Sequence, residues 1–283
     1  KVHSMKQVPV NQVLSLAYKT ASPGTKTVAV EELAQGNQLF EEVSIALGMD
    51  YIHQEQDKID YNLQRTLPHK LSQFGPPLAV GDLNGDGRED LVVGSSAGFA
   101  PIWYSQNQDG TFTQKPLLPA GETITQELTG ILLVDLDKDQ DLDLYLVSGS
   151  AEFVPNAPEY KDRVFLNNGK GTFSPDPNAP ALASNGSVVR GADVDGDGYM
   201  DVFVGGRSPI GQYPLPEKST FLKNENGKLV DATQKWLPQL DQLGMITDAL
   251  WSDVNRDGKV DLVLVGELMP ITVLMNTGTR FEL

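Results

Sequence analysis

One motif, written four times, constrains this chain more than anything else in it. Asp82 opens "DLNGDGREDLVVG", Asp135 opens "DLDKDQDLDLYLVSG", Asp193 opens "DVDGDGYMDVFVGG" and Asp253 opens "DVNRDGKVDLVLVG". The steps between them are 53, 58 and 60 residues. An apolar stretch precedes each copy and an apolar run follows it. A further run then ends in a turn rich in Asn and Gly, after which Phe112, Phe173, Leu229 or Phe281 opens another apolar-led segment. Runs of β-branched and aromatic residues bounded by Gly, Asn and Asp read as strands. The glycines interrupt every window long enough for a helix. Each unit therefore reads strand, acidic loop, strand, variable loop, strand, Asn/Gly turn, strand. Four short strands per repeat of this length is the size of a propeller blade. The expected fold class is all-β, a β-propeller of four-stranded blades with four acidic-loop blades present.

The acids stand at alternate positions. Counting from the first aspartate, oxygen-bearing side chains fall at positions one, three, five and nine: Asp82, Asn84, Asp86 and Asp90; Asp135, Asp137, Asp139 and Asp143; Asp193, Asp195, Asp197 and Asp201; Asp253, Asn255, Asp257 and Asp261. Calcium takes six to eight hard oxygen ligands in irregular geometry, and a tight loop of alternate carboxylates can wrap one ion. The backbone carbonyl at position seven (Arg88, Asp141, Tyr199 or Lys259) would add a ligand. Position six is Gly87, Gly198 or Gly258 in three copies, as a sharp turn requires. In the second loop Gln140 replaces that glycine and Asp141 adds another acid. A non-Gly residue there is strained if φ is positive. An EF-hand needs Glu at position twelve and flanking helices. Position twelve here is Val93, Leu146, Val204 or Leu264, each inside an apolar run, so that reading fails. Magnesium, which wants a strict octahedral shell, fits less well than calcium. Asp/Gly turns without metal are common; four copies in register weigh against that reading.

The formal net charge is −16, and 14 of the 38 acids occupy the ligand positions. Up to four calcium ions would bring the charge to −8. An acidic surface disfavours nucleic acid. The chain has no cysteine, which excludes thiol nucleophiles, disulfides and Cys-based metal sites. No apolar run is long enough to span a membrane. Residues 1–3 carry neither the apolar segment nor the cleavage pattern of a signal peptide.

"GDLNGDGREDLVVG" and its partners resemble the FG-GAP or VCBS repeat, the calcium-binding blade of integrin α-subunit propellers and of many bacterial surface proteins. A finer resemblance covers residues 51–87, which look like the repeat region of bacterial ASPIC/UnbV proteins related to cartilage acidic protein. Residues 6–21, "KQVPVNQVLSLAYKTA", resemble the tail of the ASPIC/UnbV module itself. The resemblance implies three parts: 1–22 as the tail of a preceding module, 23–37 as a linker, and 38–283 as the propeller segment, within a longer protein. It also implies secretion, surface display or a periplasmic location, and partner binding. Propellers of this kind close with about seven blades. Four acidic loops thus imply a partial propeller, or one that partner strands close. Residues 38–76 would add strands to a fifth blade or pack beneath the first. Open sheet edges would invite self-association.

In an up-and-down blade the acidic loops share an end with the Asn/Gly turns, and the loops between second and third strands lie at the other end. Two of those are long, and they carry Tyr160, Arg163, Arg207 and Tyr213, residue types suited to sugar stacking or protein contact. Pro-ordered surface loops without a ligand are an equal reading. His3, His53 and His69 form no metal spacing, and ordinary hydrogen-bonding roles suit them better. Trp103, Trp236 and Trp251 read as core. Ser95-Ser96 and Ser148-Gly149-Ser150 lack a nucleophile-elbow context. No catalytic constellation is recognisable. The expected function is a calcium-stabilised extracellular or periplasmic binding scaffold for a protein or glycan. The alternatives are a polysaccharide-active enzyme and a structural spacer in a larger surface protein.

Overall fold

The computed structural model describes residues 40–240 and 243–283. Contacts divide the chain into 1–43 and 44–283. The expected module tail (1–22) and linker (23–37) lie outside the described residues.

The second unit contains four antiparallel four-stranded sheets, each in simple sequential order. Blade one is β1 (Leu78–Gly81), β2 (Asp90–Val93), β3 (Ile102–Gln106) and β4 (Phe112–Pro116). Blade two is β5 (Leu128–Val134), β6 (Asp143–Ser148), β7 (Arg163–Leu166) and β8 (Ser174–Pro175). Blade three is β9 (Gly186–Ala192), β10 (Asp201–Gly206), β11 (Thr220–Asn224) and β12 (Leu229–Asp231). Blade four is β13 (Met245–Ser252), β14 (Asp261–Glu267), β15 (Thr272–Asn276) and β16 (Phe281–Glu282). The acidic loop joins first to second strand in every blade, and the ninth-position aspartate is the first residue of the second strand each time. Residues 44–76 contribute no strand; a short 3-10 turn at Asp60–Asn62 is their regular structure.

The first strands lie side by side in the order β1, β5, β9, β13, so the blades form a row. Each of the three boundaries in the row has its own core. Leu83, Val92 and Trp103 meet Leu128, Leu144 and Phe165 between blades one and two. Val134, Tyr145 and Val147 meet Val189, Val202 and Leu222 between blades two and three. Phe203 and Phe221 meet Leu262, Leu274 and Phe281 between blades three and four, with Trp236 from the single-turn helix α1 (Thr233–Trp236). Burial of such side chains, at about 1.5–3 kcal/mol each, is what holds one sheet to the next.

The two ends of the row are uncovered. The second residue of the acidic loop is 0 % exposed at Leu83, 3 % at Leu136 and 3 % at Val194, but 50 % at Val254, which no neighbouring blade covers among the described residues. Leu250 on the same side of β13 is exposed too. At the other end Leu78 and Val80 of β1 are exposed, whereas Ile131, Val189 and Ala249, in the place of Leu78, are buried. These four blades are a propeller segment without ring closure.

A β-bulge recurs at one place in three blades: the β5–β6, β9–β10 and β13–β14 registers each skip one residue, at Thr129, Ser187 and Thr247. In blades two and three the extra residue turns a hydroxyl toward the next blade. Thr129 Oγ1 donates to the Gly186 carbonyl at 2.9 Å, and Ser187 Oγ to the Ile246 carbonyl at 2.6 Å.

Candidate functional site

The first aspartate of each loop folds the loop around its own carboxylate. Asp82 accepts from the N–H groups of Gly85 (2.8 Å), Asp86 (3.2 Å) and Gly87 (2.7 Å). Asp193 accepts from Gly196 (2.8 Å), Asp197 (3.1 Å) and Gly198 (2.8 Å). Asp135 takes Lys138 (2.7 Å) and Gln140 (3.0 Å), and Asp253 takes Asp257 (3.1 Å) and Gly258 (3.0 Å). The fifth-position carboxylate accepts the seventh-position N–H in all four: Asp86 from Arg88, Asp139 from Asp141, Asp197 from Tyr199, Asp257 from Lys259, at 2.8–3.1 Å.

This winding puts two residues per loop in the left-handed region. Position six has φ of 80° at Gly87, 76° at Gln140, 83° at Gly198 and 84° at Gly258. The strain expected at Gln140 is therefore present. Position four is left-handed too, at Gly85, Lys138, Gly196 and Arg256, with φ of 63–76°. Two of these carry a Cβ, a requirement the sequence pattern did not reveal.

The ninth-position aspartates are pins. Asp90, Asp143, Asp201 and Asp261 are fully buried. Each accepts the N–H of loop position two with one oxygen: from Leu83 (3.2 Å), Leu136 (2.8 Å), Val194 (3.2 Å) and Val254 (2.9 Å). The other oxygen accepts the N–H at the end of the third strand: from Gln106 (2.8 Å), Asn167 (2.9 Å), Asn224 (2.8 Å) and Asn276 (2.8 Å). Each carboxylate oxygen offers two lone pairs, so both remain able to meet a cation.

Among the described residues, two of the three carboxylate groups close enough to share an ion lie in these loops: Asp135, Asp137 and Asp143, and Asp193, Asp195 and Asp197. Loops one and four carry Asn84 and Asn255 at position three. In loop two, burial followed by the charges of Asp139, Asp137 and Asp135 pushes Asp141 up to about 6, and burial raises Asp143 to about 7. Asp137 is raised as well, by burial first and then by Asp139. Protons held at such pH values report a cluster short of positive charge.

Loop three shows how a cation fits. Lys223, the next-to-last residue of β11, places its ammonium 2.9 Å from Asp195, 2.9 Å from Asp197 and 3.0 Å from Asp201. Burial works against that charge, but hydrogen bonds to the three aspartates outweigh it and raise the Lys223 pKa. The ammonium thus stands where an ion would, and the oxygen frame accepts it. The other blades have Ser105, Leu166 and Met275 at this place. Superposing the four copies in sequence would have singled Lys223 out.

The residues proposed for ligand contact at the opposite end divide. Tyr160 does not present its ring to solvent: it is 3 % exposed, packs with Leu67, Leu71 and Ile210, and its hydroxyl donates to the Phe153 carbonyl at 3.2 Å. The expectation of a contact residue is corrected there, because the long loop folds over its own aromatic side chain. Arg163 pairs with Glu122 at 2.6 Å and lies over Phe165. Arg207 pairs with Glu267, and its guanidinium lies 3.7 Å from the Phe74 ring centroid. Tyr213 holds Gln64 through its backbone N–H at 3.0 Å. Arg207 also lines a cavity of about 270 Å3 with Leu71, Phe74, Thr129, Ser187 and Thr247, where β5, β9 and β13 begin. As expected, Trp103 and Trp236 are core, and His53 makes ordinary hydrogen bonds, to Tyr51 at 2.7 Å and Glu55 at 2.6 Å.

A family model described as an FG-GAP-like repeat matches residues 82–146 and 149–204. Over those residues blades one to three are similar to FG-GAP-like repeats. The two matched stretches begin at the loop-one aspartate and run into β10, and the blade-four loop repeats their hydrogen bonds. Integrin alpha-IIb of Mus musculus is 31 % identical over 171 residues, half of this chain and 16 % of that protein's length. The biofilm matrix protein Bap1 of V. cholerae aligns in structure with a TM-score of 0.37 at 15 % identity, over 73 % of this chain and 30 % of that one. The four blades carry acidic clusters that could bind metal ions, and no helix among the described residues is long and apolar enough to cross a membrane.

Proposed function

We propose that this segment is a calcium-stabilised β-propeller scaffold that works outside the cytoplasm and binds a protein or glycan partner. The observation that carries the reading is one oxygen frame repeated in four loops. In each, the first carboxylate winds the loop, the ninth pins it to the third strand, and the third and fifth positions supply further side-chain oxygens. Calcium would be held by Asp82, Asn84, Asp86 and Asp90 in blade one, by Asp135, Asp137, Asp139 and Asp143 in blade two, and by Asp253, Asn255, Asp257 and Asp261 in blade four. In blade three an ion would compete with the Lys223 ammonium for Asp193, Asp195, Asp197 and Asp201. Bound calcium would neutralise the loops and link metal binding to folding. The FG-GAP-like repeats and the integrin likeness support an extracellular setting; the ASPIC/UnbV likeness of residues 6–21 and 51–87 supports a bacterial surface protein.

Partner binding is assigned to the end away from the metal loops, where the Arg207 cavity opens among the starts of β5, β9 and β13. Thermal melting with chelator and then with added calcium tests the metal. A clear fall in Tm reversed by calcium is expected, and equal melting in both conditions removes calcium from the reading. A glycan array paired with a product assay tests the partner. Binding without turnover, weakened by Arg207→Ala, supports a scaffold, whereas released oligosaccharide makes the protein an enzyme.

A further inference from the structure

A third carboxylate group lies at the opposite end of the blades from the acidic loops. Glu55, Glu127 and Glu152 each bring a carboxylate oxygen within 4.8 Å of the others. They come from three places: the segment before β1, the residue before β5, and the β6–β7 loop. Nothing in the repeat pattern brings them together; the fold does.

Glu127 is 0 % exposed. Its Oε2 accepts the Ala97 N–H at 2.7 Å, but its Oε1 has no partner. That orphan oxygen points at the group, near Gly75 and His53, where a Cβ on Gly75 would sit 3.5 Å from it. One oxygen of Glu55 and both of Glu152 are buried and unpartnered as well, so four of the twelve orphaned buried side-chain polar atoms among the described residues belong to these three glutamates. The cation at hand, Lys58, gives a hydrogen bond to the backbone carbonyl of Glu152, and its charge acts on the Glu152 carboxylate without offsetting the effect of burial. Burial, then the charges of Glu152 and Glu55, pushes the Glu127 carboxyl up to about 9.

We propose that Glu55, Glu127 and Glu152 form a divalent-cation site, separate from the acidic loops, that ties the 53–55 segment to blades one and two. Two oxygens on opposite sides of a calcium ion at about 2.4 Å each are about 4.8 Å apart, and the three donors lie within that distance of one another. The donors are hard oxygens, and no nitrogen is free, because His53 Nε2 is engaged with Glu55 Oε1 at 2.6 Å and its Nδ1 with Tyr51 at 2.7 Å. That set selects calcium over zinc or copper. The His53 bond orients Glu55 and leaves its other oxygen for the ion, as supporting residues around metal ligands do.

The test is calcium stoichiometry on the full chain after chelation, by equilibrium dialysis and atomic emission. Glu127→Gln and Glu55→Gln should each lose one equivalent. A loop-two variant, Asp137→Asn, should lose a different equivalent, so Glu55→Gln combined with Asp137→Asn loses two, which separates this site from the loops. Unchanged stoichiometry in Glu55→Gln, with circular dichroism matching the wild type, overturns the proposal even if Glu127→Gln fails to fold. So does unchanged stoichiometry in a Glu127→Gln that melts higher, since the three acids would then be a proton-sharing group alone.

Discussion

The Asn224 side-chain amide of blade three donates to the Leu136 carbonyl of blade two at 2.8 Å, and to Met200 of its own blade at 3.2 Å. Asn167 reaches Leu83 and Asn276 reaches Val194 in the same manner, both at 2.9 Å. The first three acidic loops are thus each held from outside their blade, from the end of the next blade's third strand. Asn224→Ala leaves two buried carbonyls without this donor and should cost about 1–3 kcal/mol. The calcium affinity that falls should be that of loop two, not of loop three. Denaturant melts and site-resolved calcium titration, with Asp137→Asn marking loop two, check both halves of that expectation.

Lys223 competes with any ion for the blade-three oxygens. Lys223→Met matches the Met275 found at this place in blade four and removes the tethered charge. Calcium binding at loop three should tighten at least tenfold, about 1.4 kcal/mol. A binding isotherm unchanged by the substitution would show that the ammonium swings clear and never excluded the ion.

Gln140 holds a left-handed backbone at φ 76° where the other loops have glycine. Relief of that strain by Gln140→Gly should raise calcium-free stability by about 1 kcal/mol, net of the extra freedom glycine brings to the unfolded chain. Comparison of denaturation midpoints at equal m-value is the measurement.

Asp162 is buried beneath β6, accepting from the Tyr145 hydroxyl at 3.0 Å and the Ser148 N–H at 3.2 Å. Burial raises its pKa to about 7, against the hydrogen bonds that lower it. The unfolded carboxyl titrates near 4, so between there and about 7 the folded chain keeps a proton the unfolded chain has lost. Stability of the calcium-free protein should therefore fall as pH rises through that window and level off above it. In Asp162→Asn the slope should be smaller, whatever the absolute Tm.

The blade plan was legible because each structural demand had a residue type attached to it. Alternate acids marked the loops, Asp at position nine marked the second strand, and the Asn/Gly turns separated the third strand from the fourth. Phe112, Leu229 and Phe281 do begin their strands, and Phe173 precedes β8 by one residue. Position four of the loop escaped notice because Lys138 and Arg256 occupy a conformation that residue identity alone does not announce. Tyr160 was misread because an aromatic residue in a long loop looks the same in sequence whether it faces solvent or plugs its own loop. The three glutamates at 55, 127 and 152 were invisible for a different reason: they meet only where the strandless segment before β1 folds against two separate parts of blade two. Lys223 was readable in principle, as the odd member of an otherwise uncharged column.

The row of blades has unequal ends. Blade one is braced from the 44–76 segment, through Leu47 to Phe112 at 2.7 Å and through Tyr51 to the Gly94 carbonyl at 3.4 Å. Blade four has one neighbour and, on its far side, the exposed Leu250 and Val254. In a linear array each unit is stabilised by the neighbours it touches, so opening starts where a unit has the fewest. Amide exchange should accordingly be faster in blade four, with its exposed Leu250 and Val254, than in β6 and β10, which are buried along their whole length.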